Sequence, residues 1–153
     1  ANMELVLCAG VGFINYYLPS AYMDEIFHER QTNAYYEFKY DHWDPKLTTF
    51  PGLFFITSML RNAVYISGLS VPVQQYRAFN VFYSCCLYWL LKRGEAGARR
   101  AAYLLSFPPL FMCCFLYYTD VIALLSIIWV YYLVRERHYA LSGIFGALAV
   151  ICR

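Results

Sequence analysis

Residues 52–69 read GLFFITSMLRNAVYISGL, and whether they cross a bilayer decides how the whole chain is arranged. The stretch is apolar at both ends, but Arg61 and Asn62 sit near its centre. A central arginine costs about 2.5–3.5 kcal/mol on insertion scales. The segment is also short and follows Pro51. It is therefore predicted to lie at the interface, as an amphipathic or re-entrant helix, and not to span.

The rest of the chain makes the bilayer the relevant solvent. Of 153 residues, 61% are hydrophobic, 20% aromatic and only 14% charged. A water-soluble domain carries about 25% charged residues, so there is too little polar surface here to cover one. An all-α, polytopic membrane protein is predicted. The net charge of +2 singles out no partner, and no nucleic-acid partner is expected. Cys8, Cys85, Cys86, Cys113, Cys114 and Cys152 all fall in apolar runs and read as small buried hydrophobes. No CxxC occurs, and His28, His42 and His138 lack ligand spacing, so neither a disulfide framework nor a metal site nor a cofactor is expected. Residue 1 is Ala, and Arg153 interrupts an apolar run, so the chain reads as the N-terminal part of a longer one. Its first apolar segment lacks the basic flank and small-residue cleavage site of a signal peptide.

Crossing the hydrocarbon takes about 20 apolar residues. Spans are predicted near 3–19, 77–91, 101–119, 121–134 and 139–153, all in one transmembrane domain covering 1–153. Pro108-Pro109 should kink 101–119, and Gly143, Gly146 and Ala147 offer a small-residue packing face. Between spans, 92–100 (KRGEAGARR) carries Lys92, Arg93, Arg99 and Arg100, and 135–138 (RERH) carries two more arginines. Two spans separate these loops, so they share a side, and the positive-inside rule makes it cytoplasmic. With 52–69 not crossing, the loop 20–76 faces the opposite side, an organelle lumen or periplasm. It holds two predicted non-spanning helices, about 22–38 and 52–69.

That loop opens with YMDEIFHERQ, residues 22–31. In a helix over 22–38, Asp24, His28, Gln31 and Tyr35 fall close to one face, at i, i+4, i+7 and i+11. Met23, Ile26, Phe27, Ala34 and Phe38 supply an apolar side. Such a helix lies on the membrane surface with a polar row facing a cavity. Spacing by itself favours a plainer account, in which Asp24 and Glu25 are solvated and complement the helix dipole. A carboxylate at the membrane edge can instead serve as general base for a hydroxyl nucleophile.

Other polar residues have two readings each. Asp44, in DHWDP (41–45), suits an Asx-type turn before Pro45 or a contact to sugar hydroxyls. Trp43 reads as an interfacial anchor. Asp120 suits an N-cap or the same cavity as Asp24. Arg153 lies about 15 residues from RERH, roughly 22 Å along a helix, where it needs an anionic partner, such as a lipid phosphate, or an interfacial outlet.

YMDEIFH (22–28) followed by WDPKLTTFPGL (43–53), with FLYYTD (115–120) and the closing CR (152–153), resembles the eukaryotic ER α-1,2-glucosyltransferases that add the last glucose to the dolichol-linked N-glycan precursor. The blocks occur in the family's order. The chain departs from it at Arg30, where the family has Pro, and over 32–42. The resemblance implies a GT-C type membrane enzyme whose first luminal loop carries juxtamembrane helices and a catalytic acid. It implies dolichyl phosphate glucose as donor and the diglucosylated dolichyl diphosphate-linked oligosaccharide as acceptor. It implies inverting transfer, with Asp24 as general base and Glu25 as the alternative. His28, Asp44, Asp120 and Arg153 are then substrate contacts, Arg153 facing the phosphate. The rival readings are a transporter or channel subunit with an acidic vestibule and a GT-C enzyme using another lipid-linked sugar.

Overall fold

The computed structural model describes residues 3–63, 72–94 and 97–153, and these contain helices and no strand. Helix α1 (Met3–Tyr17) stops just before Leu18-Pro19, where proline disfavours helix in the residue ahead of it. Helix α2 (Glu25–Tyr36) starts later and ends earlier than the predicted 22–38. Met23 and Phe38 take positive φ values of 50° and 60°, and such left-handed residues close a helix off at both ends. Helix α3 (Gly52–Ala63) begins behind Pro51, whose carbonyl accepts the Phe55 N–H. The predicted continuation to 69 lies outside the described residues, as does Glu95 of the basic loop.

The longest element is α4 (Val73–Arg93), which packs against α1, α2, α5 (Gly97–Leu105), α6 (Pro108–Phe115) and α7 (Asp120–Arg135). Helix α8 (Tyr139–Ile151) lies along α7. Leu7, Leu53, Phe54, Tyr76, Leu87, Tyr117 and Val121 form the centre of the core.

Two expectations are corrected here. The segment 101–119, predicted as one kinked span, is two short helices, because Pro108 and Pro109 stop α5 and start α6. A second break follows at 116–119, where α6 and α7 meet at 110°. Among the described residues no single helix is long and apolar enough to cross a membrane; only α6 and α7 together pass, as a bent pair. The small-residue face of α8 is used only in part: Val130 Cγ2 of α7 lies 3.9 Å from where a Gly146 side chain would start. Gly143 has no neighbour within 4 Å of where a side chain would start, and Ala147 is exposed. Instead Phe145 stacks on Trp129 with ring centroids 5.5 Å apart.

The two loop helices carry their polar faces inward. On α2, Glu25, His28, Gln31 and Thr32 are buried while Met23, Ile26 and Phe38, in and beside the helix, are exposed. On α3, Thr57, Ser58 and Arg61 are buried while Phe55 and Met59 are exposed. Arg61 is buried among partners: it donates to Asn33 Oδ1 at 2.8 Å and to Tyr76 at 2.9 Å, and stacks on Tyr36. The residue that argued against spanning thus bonds α3 to α2 and α4.

Candidate active site

The site is built around the break between α6 and α7. Breaking a helix orphans backbone groups that need partners, and buried polar side chains of α2 and α4 supply them. Asn80 donates from Nδ2 to the carbonyls of Cys113 and Leu116, both at 2.6 Å. The Tyr117 N–H donates to Glu25 Oε1 at 2.6 Å, and the Tyr117 carbonyl accepts from His28 Nδ1 at 2.8 Å. The Tyr117 hydroxyl meets Thr32 at 2.9 Å, and its ring stacks on Tyr76. Held in this way, the non-helical turn presents Tyr118, Thr119 and Asp120 beside the start of α2.

The result is a cleft of about 450 Å³ whose wall includes Asp24, His28, Lys46, Asp120 and Arg153. Four of the six predicted site residues therefore meet, although the sequence separates Asp24 from Arg153 by most of its length. Asp24 is exposed at the N-cap of α2, with no side-chain cap bond, so its carboxylate is not committed to the helix end.

Its neighbour Glu25 is placed quite differently. Adjacent residues on a helix point about 100° apart, and Glu25 points inward, fully buried. Its carboxylate accepts from Arg77 Nε at 3.0 Å and Nη2 at 2.6 Å, from Tyr22 N–H at 2.9 Å and from Tyr117 N–H. Arg77 spends its remaining N–H groups on Asn15 and the carbonyls of Leu18 and Ser20, so all five guanidinium donors are used. Glu25 does not line the cleft; it fastens α2 to α1, α4 and the break.

His28 is buried and lies on the cleft wall. Because a carbonyl only accepts, Nδ1 carries the proton in the bond to Tyr117, which leaves the Nε2 lone pair free in the neutral ring. Burial lowers its pKa below the usual histidine value, against the opposing pull of the Tyr117 carbonyl and of Asp24, Glu25 and Asp120. The ring is a neutral hydrogen-bond acceptor, suited to a hydroxyl and not to a phosphate oxygen.

Asp120 is the first residue of α7, not its N-cap, which is Thr119. Its carboxylate instead takes Arg153 Nη1 at 2.6 Å. Arg153 has found a protein anion as its partner, with its side chain 71% exposed at the cleft. Asp44 stays outside the cleft: its Oδ1 accepts the Lys46 N–H at 3.0 Å, the predicted Asx-type turn, and its own N–H donates to Gln31.

Sequence reasoning missed Lys46, Thr48, Thr49, Tyr118 and Thr119 as cleft residues. All lie inside WDPKLTTFPGL and FLYYTD, so the signal was present in the motifs and no role had been attached to it. Lys46 adds a second cation, and Thr49 Oγ1 is buried with no hydrogen-bond partner among the described residues.

The sequence model of the DIE2/ALG10 family matches residues 18–153, nearly the whole chain and every cleft residue. The chain belongs to the DIE2/ALG10 family. Its similar proteins include three curated Dol-P-Glc:Glc(2)Man(9)GlcNAc(2)-PP-Dol alpha-1,2-glucosyltransferases. That of Arabidopsis thaliana is 30% identical over 92% of this chain and 32% of its own length. That of Drosophila melanogaster is 32% identical over 99% of this chain and 37% of its own. That of Aspergillus fumigatus is 35% identical over 77% of this chain and 22% of its own. This DIE2/ALG10 chain thus spans about a third or less of the relatives it matches. No solved structure matches it.

Proposed function

We propose that the chain contributes the catalytic cleft of an inverting, dolichyl-phosphate-glucose-dependent α-1,2-glucosyltransferase of the GT-C type. The donor is dolichyl phosphate glucose and the acceptor is the diglucosylated dolichyl diphosphate-linked oligosaccharide. The single observation that carries this is the convergence of an uncommitted carboxylate, Asp24, with a neutral imidazole acceptor and two cations, Lys46 and Arg153, in one cleft. The relatives' names support glucose over another lipid-linked sugar.

In this reading Asp24 removes the proton from the acceptor's 2-hydroxyl as its oxygen attacks the anomeric carbon of β-linked glucose. The bond from that carbon to the phosphate oxygen breaks, and dolichyl phosphate departs with the electron pair. Inversion leaves an α-1,2 linkage. The leaving phosphate is already anionic, and Arg153 and Lys46 stabilise its added charge. His28 accepts a hydrogen bond from a sugar hydroxyl through Nε2. Glu25 is spent on Arg77, which favours Asp24 as the base.

A membrane setting, with the cleft on the luminal side of the endoplasmic reticulum, fits the outer surface. Leu5, Phe13, Ile127, Tyr131, Ile144 and Val150 are exposed along α1, α7 and α8, an apolar surface of the kind that meets a membrane or a partner. A transport pathway would leave charges facing a conduit. Arg61 and Arg77 are instead bonded into the packing.

The test expresses the full-length Asp24→Asn enzyme in cells lacking the terminal glucosyltransferase and profiles their lipid-linked oligosaccharides. The two-glucose species should persist. Restoration of the three-glucose species to the wild-type level would remove Asp24 as the base.

A further inference from the structure

A second polar pocket lies at the far end of the α4–α7 pair. Asp120 begins α7 at the cleft and Arg135 ends its 16 residues, about 22 Å away at 1.5 Å per residue. There the C-terminal ends of α4 and α7 enclose a cavity of about 520 Å³ walled by Trp89, Arg93, Trp129, Tyr132, Arg135 and Glu136. We propose that this pocket binds the headgroup of an inositol phospholipid, with the phosphodiester on the two arginines and the polyol ring between the aromatic walls and Glu136. The proposal takes the membrane setting above as given and does not depend on the role of Asp24.

Helical spacing assembles the walls. Residues three and four apart share a helix face, which groups Trp89 with Arg93 on α4, and Trp129 with Tyr132, Arg135 and Glu136 on α7. Gly94 ends α4 and lacks the side chain that would collide with the Tyr132 hydroxyl, so the two helix ends close on each other. Trp129 is held by its stack on Phe145, and the Arg93 guanidinium lies 4.1 Å over the Trp89 ring. A guanidinium stacked in this way keeps its in-plane N–H donors for an oxyanion. Basic residues in a last turn also complement the helix dipole, but that effect asks for neither aromatic walls nor a carboxylate.

Charge and hydroxyls together single out the occupant. Segments 92–100 and 135–138 hold six basic residues against two acidic ones, a surplus of four in a chain whose total surplus is two. Basic pockets between membrane helices take anionic lipid headgroups. A bare phosphate would be drawn to Arg93 and Arg135 and repelled by Glu136. A ring of hydroxyls gives the Glu136 carboxylate donors to accept and sets C–H faces against the tryptophans. An inositol phosphodiester carries both parts.

The detergent-purified full-length enzyme is titrated with phosphatidylinositol, phosphatidic acid, phosphatidylserine and phosphatidylcholine, and bound lipid is read by native mass spectrometry. Phosphatidylinositol should bind most tightly; phosphatidylserine or phosphatidic acid binding as well overturns the polyol assignment. Arg93→Gln with Arg135→Gln should weaken phosphatidylinositol about twenty-five-fold, roughly fivefold for each cation lost. Arg99→Gln with Arg100→Gln removes the same charge from outside the pocket and should leave binding nearly unchanged; equal losses mean diffuse attraction and overturn the site. Glu136→Ala should weaken phosphatidylinositol and strengthen phosphatidic acid, since only the inositol lipid brings hydroxyls to that carboxylate, and a gain for both overturns the ring placement. Soluble glycerophosphoinositol should compete poorly; full displacement at equal concentration would make a free phosphate ester the ligand. If the double arginine variant does not fold, the wild-type ranking of the four lipids decides alone. Asp24→Asn should lose glucosyl transfer and bind phosphatidylinositol as the wild type does, so failure of either reading leaves the other standing.

Discussion

Arg77 Nη2 lies 2.6 Å from Glu25 Oε2, with both side chains fully enclosed. Removing one partner of such a pair strands a buried charge and costs about 3–5 kcal/mol, whereas replacing both with apolar groups often costs little. Glu25→Ala and Arg77→Ala are each expected to lower the unfolding midpoint of the detergent-purified full-length protein sharply. Glu25→Met with Arg77→Met should fall well short of the summed single losses. Additive losses would show that the two do not act as a pair.

Asn80 makes a narrower bond set with the same purpose. Asn80→Ala leaves the Cys113 and Leu116 carbonyls without their donor, at about 1–3 kcal/mol for a buried unmatched group. Hydrogen exchange should quicken at 116–121 before it does in α1 or α8. Asn80→Asp should be worse, because a carboxylate would face two carbonyl oxygens.

The lowered pKa of His28 gives stability a pH dependence of known sign. The unfolded chain binds a proton at the ordinary value near 6.5, and the folded chain only at lower pH. The contribution is therefore complete above 6.5 and is lost as pH falls from there through the folded-state value. His28→Asn keeps a donor for the Tyr117 carbonyl but cannot titrate. Denaturation midpoints from pH 7.5 down to 5 should fall more steeply for the wild type than for His28→Asn; parallel curves would refute the assignment.

Gly52 meets the end of α8 closely enough that an added methyl group would collide with the Ile151 carbonyl and lie 2.7 Å from Cys152 Sγ. Backbone cannot step aside as a flexible side chain can. Gly52→Ala should cost about 1–3 kcal/mol and disturb Arg153, the next residue in the chain, with loss of glucosyl transfer. Gly143→Ala, in the same class of substitution but with open space around it, should be neutral or stabilise α8 by up to about 1 kcal/mol. Equal melting shifts for the two would contradict the contact.

Much of this was legible in the chain alone where the physics is local. Pro19 and Pro51 stand where predicted segments end and begin, because proline restricts its own φ and its predecessor, whereas Pro108-Pro109, read as a kink inside one span, separates α5 from α6. Arg61 signalled that 52–69 needs a polar partner, since an isolated buried charge is too costly, and it finds Asn33 and Tyr76. The Asx-type turn at Asp44 needed only its neighbours. The second break, at 116–119, was not legible: LYYT carries no proline or glycine, and the turn exists because Asn80, Glu25 and His28, from other helices, bond its backbone.

By itself, then, the sequence determined an all-α chain, the helix boundaries at Pro19 and Pro51 and the acidic start of the 20–76 loop, all consequences of backbone sterics and local polarity. Only the tertiary structure decided which of two adjacent carboxylates faces the cleft. A helix turns Asp24 and Glu25 about 100° apart, but which of them points inward depends on where Arg77 and the Tyr117 N–H stand, more than 50 and 90 residues away. The pairing of Asp120 with Arg153 was likewise settled at long range, by the bend between α6 and α7 and the docking of α8 on Gly52.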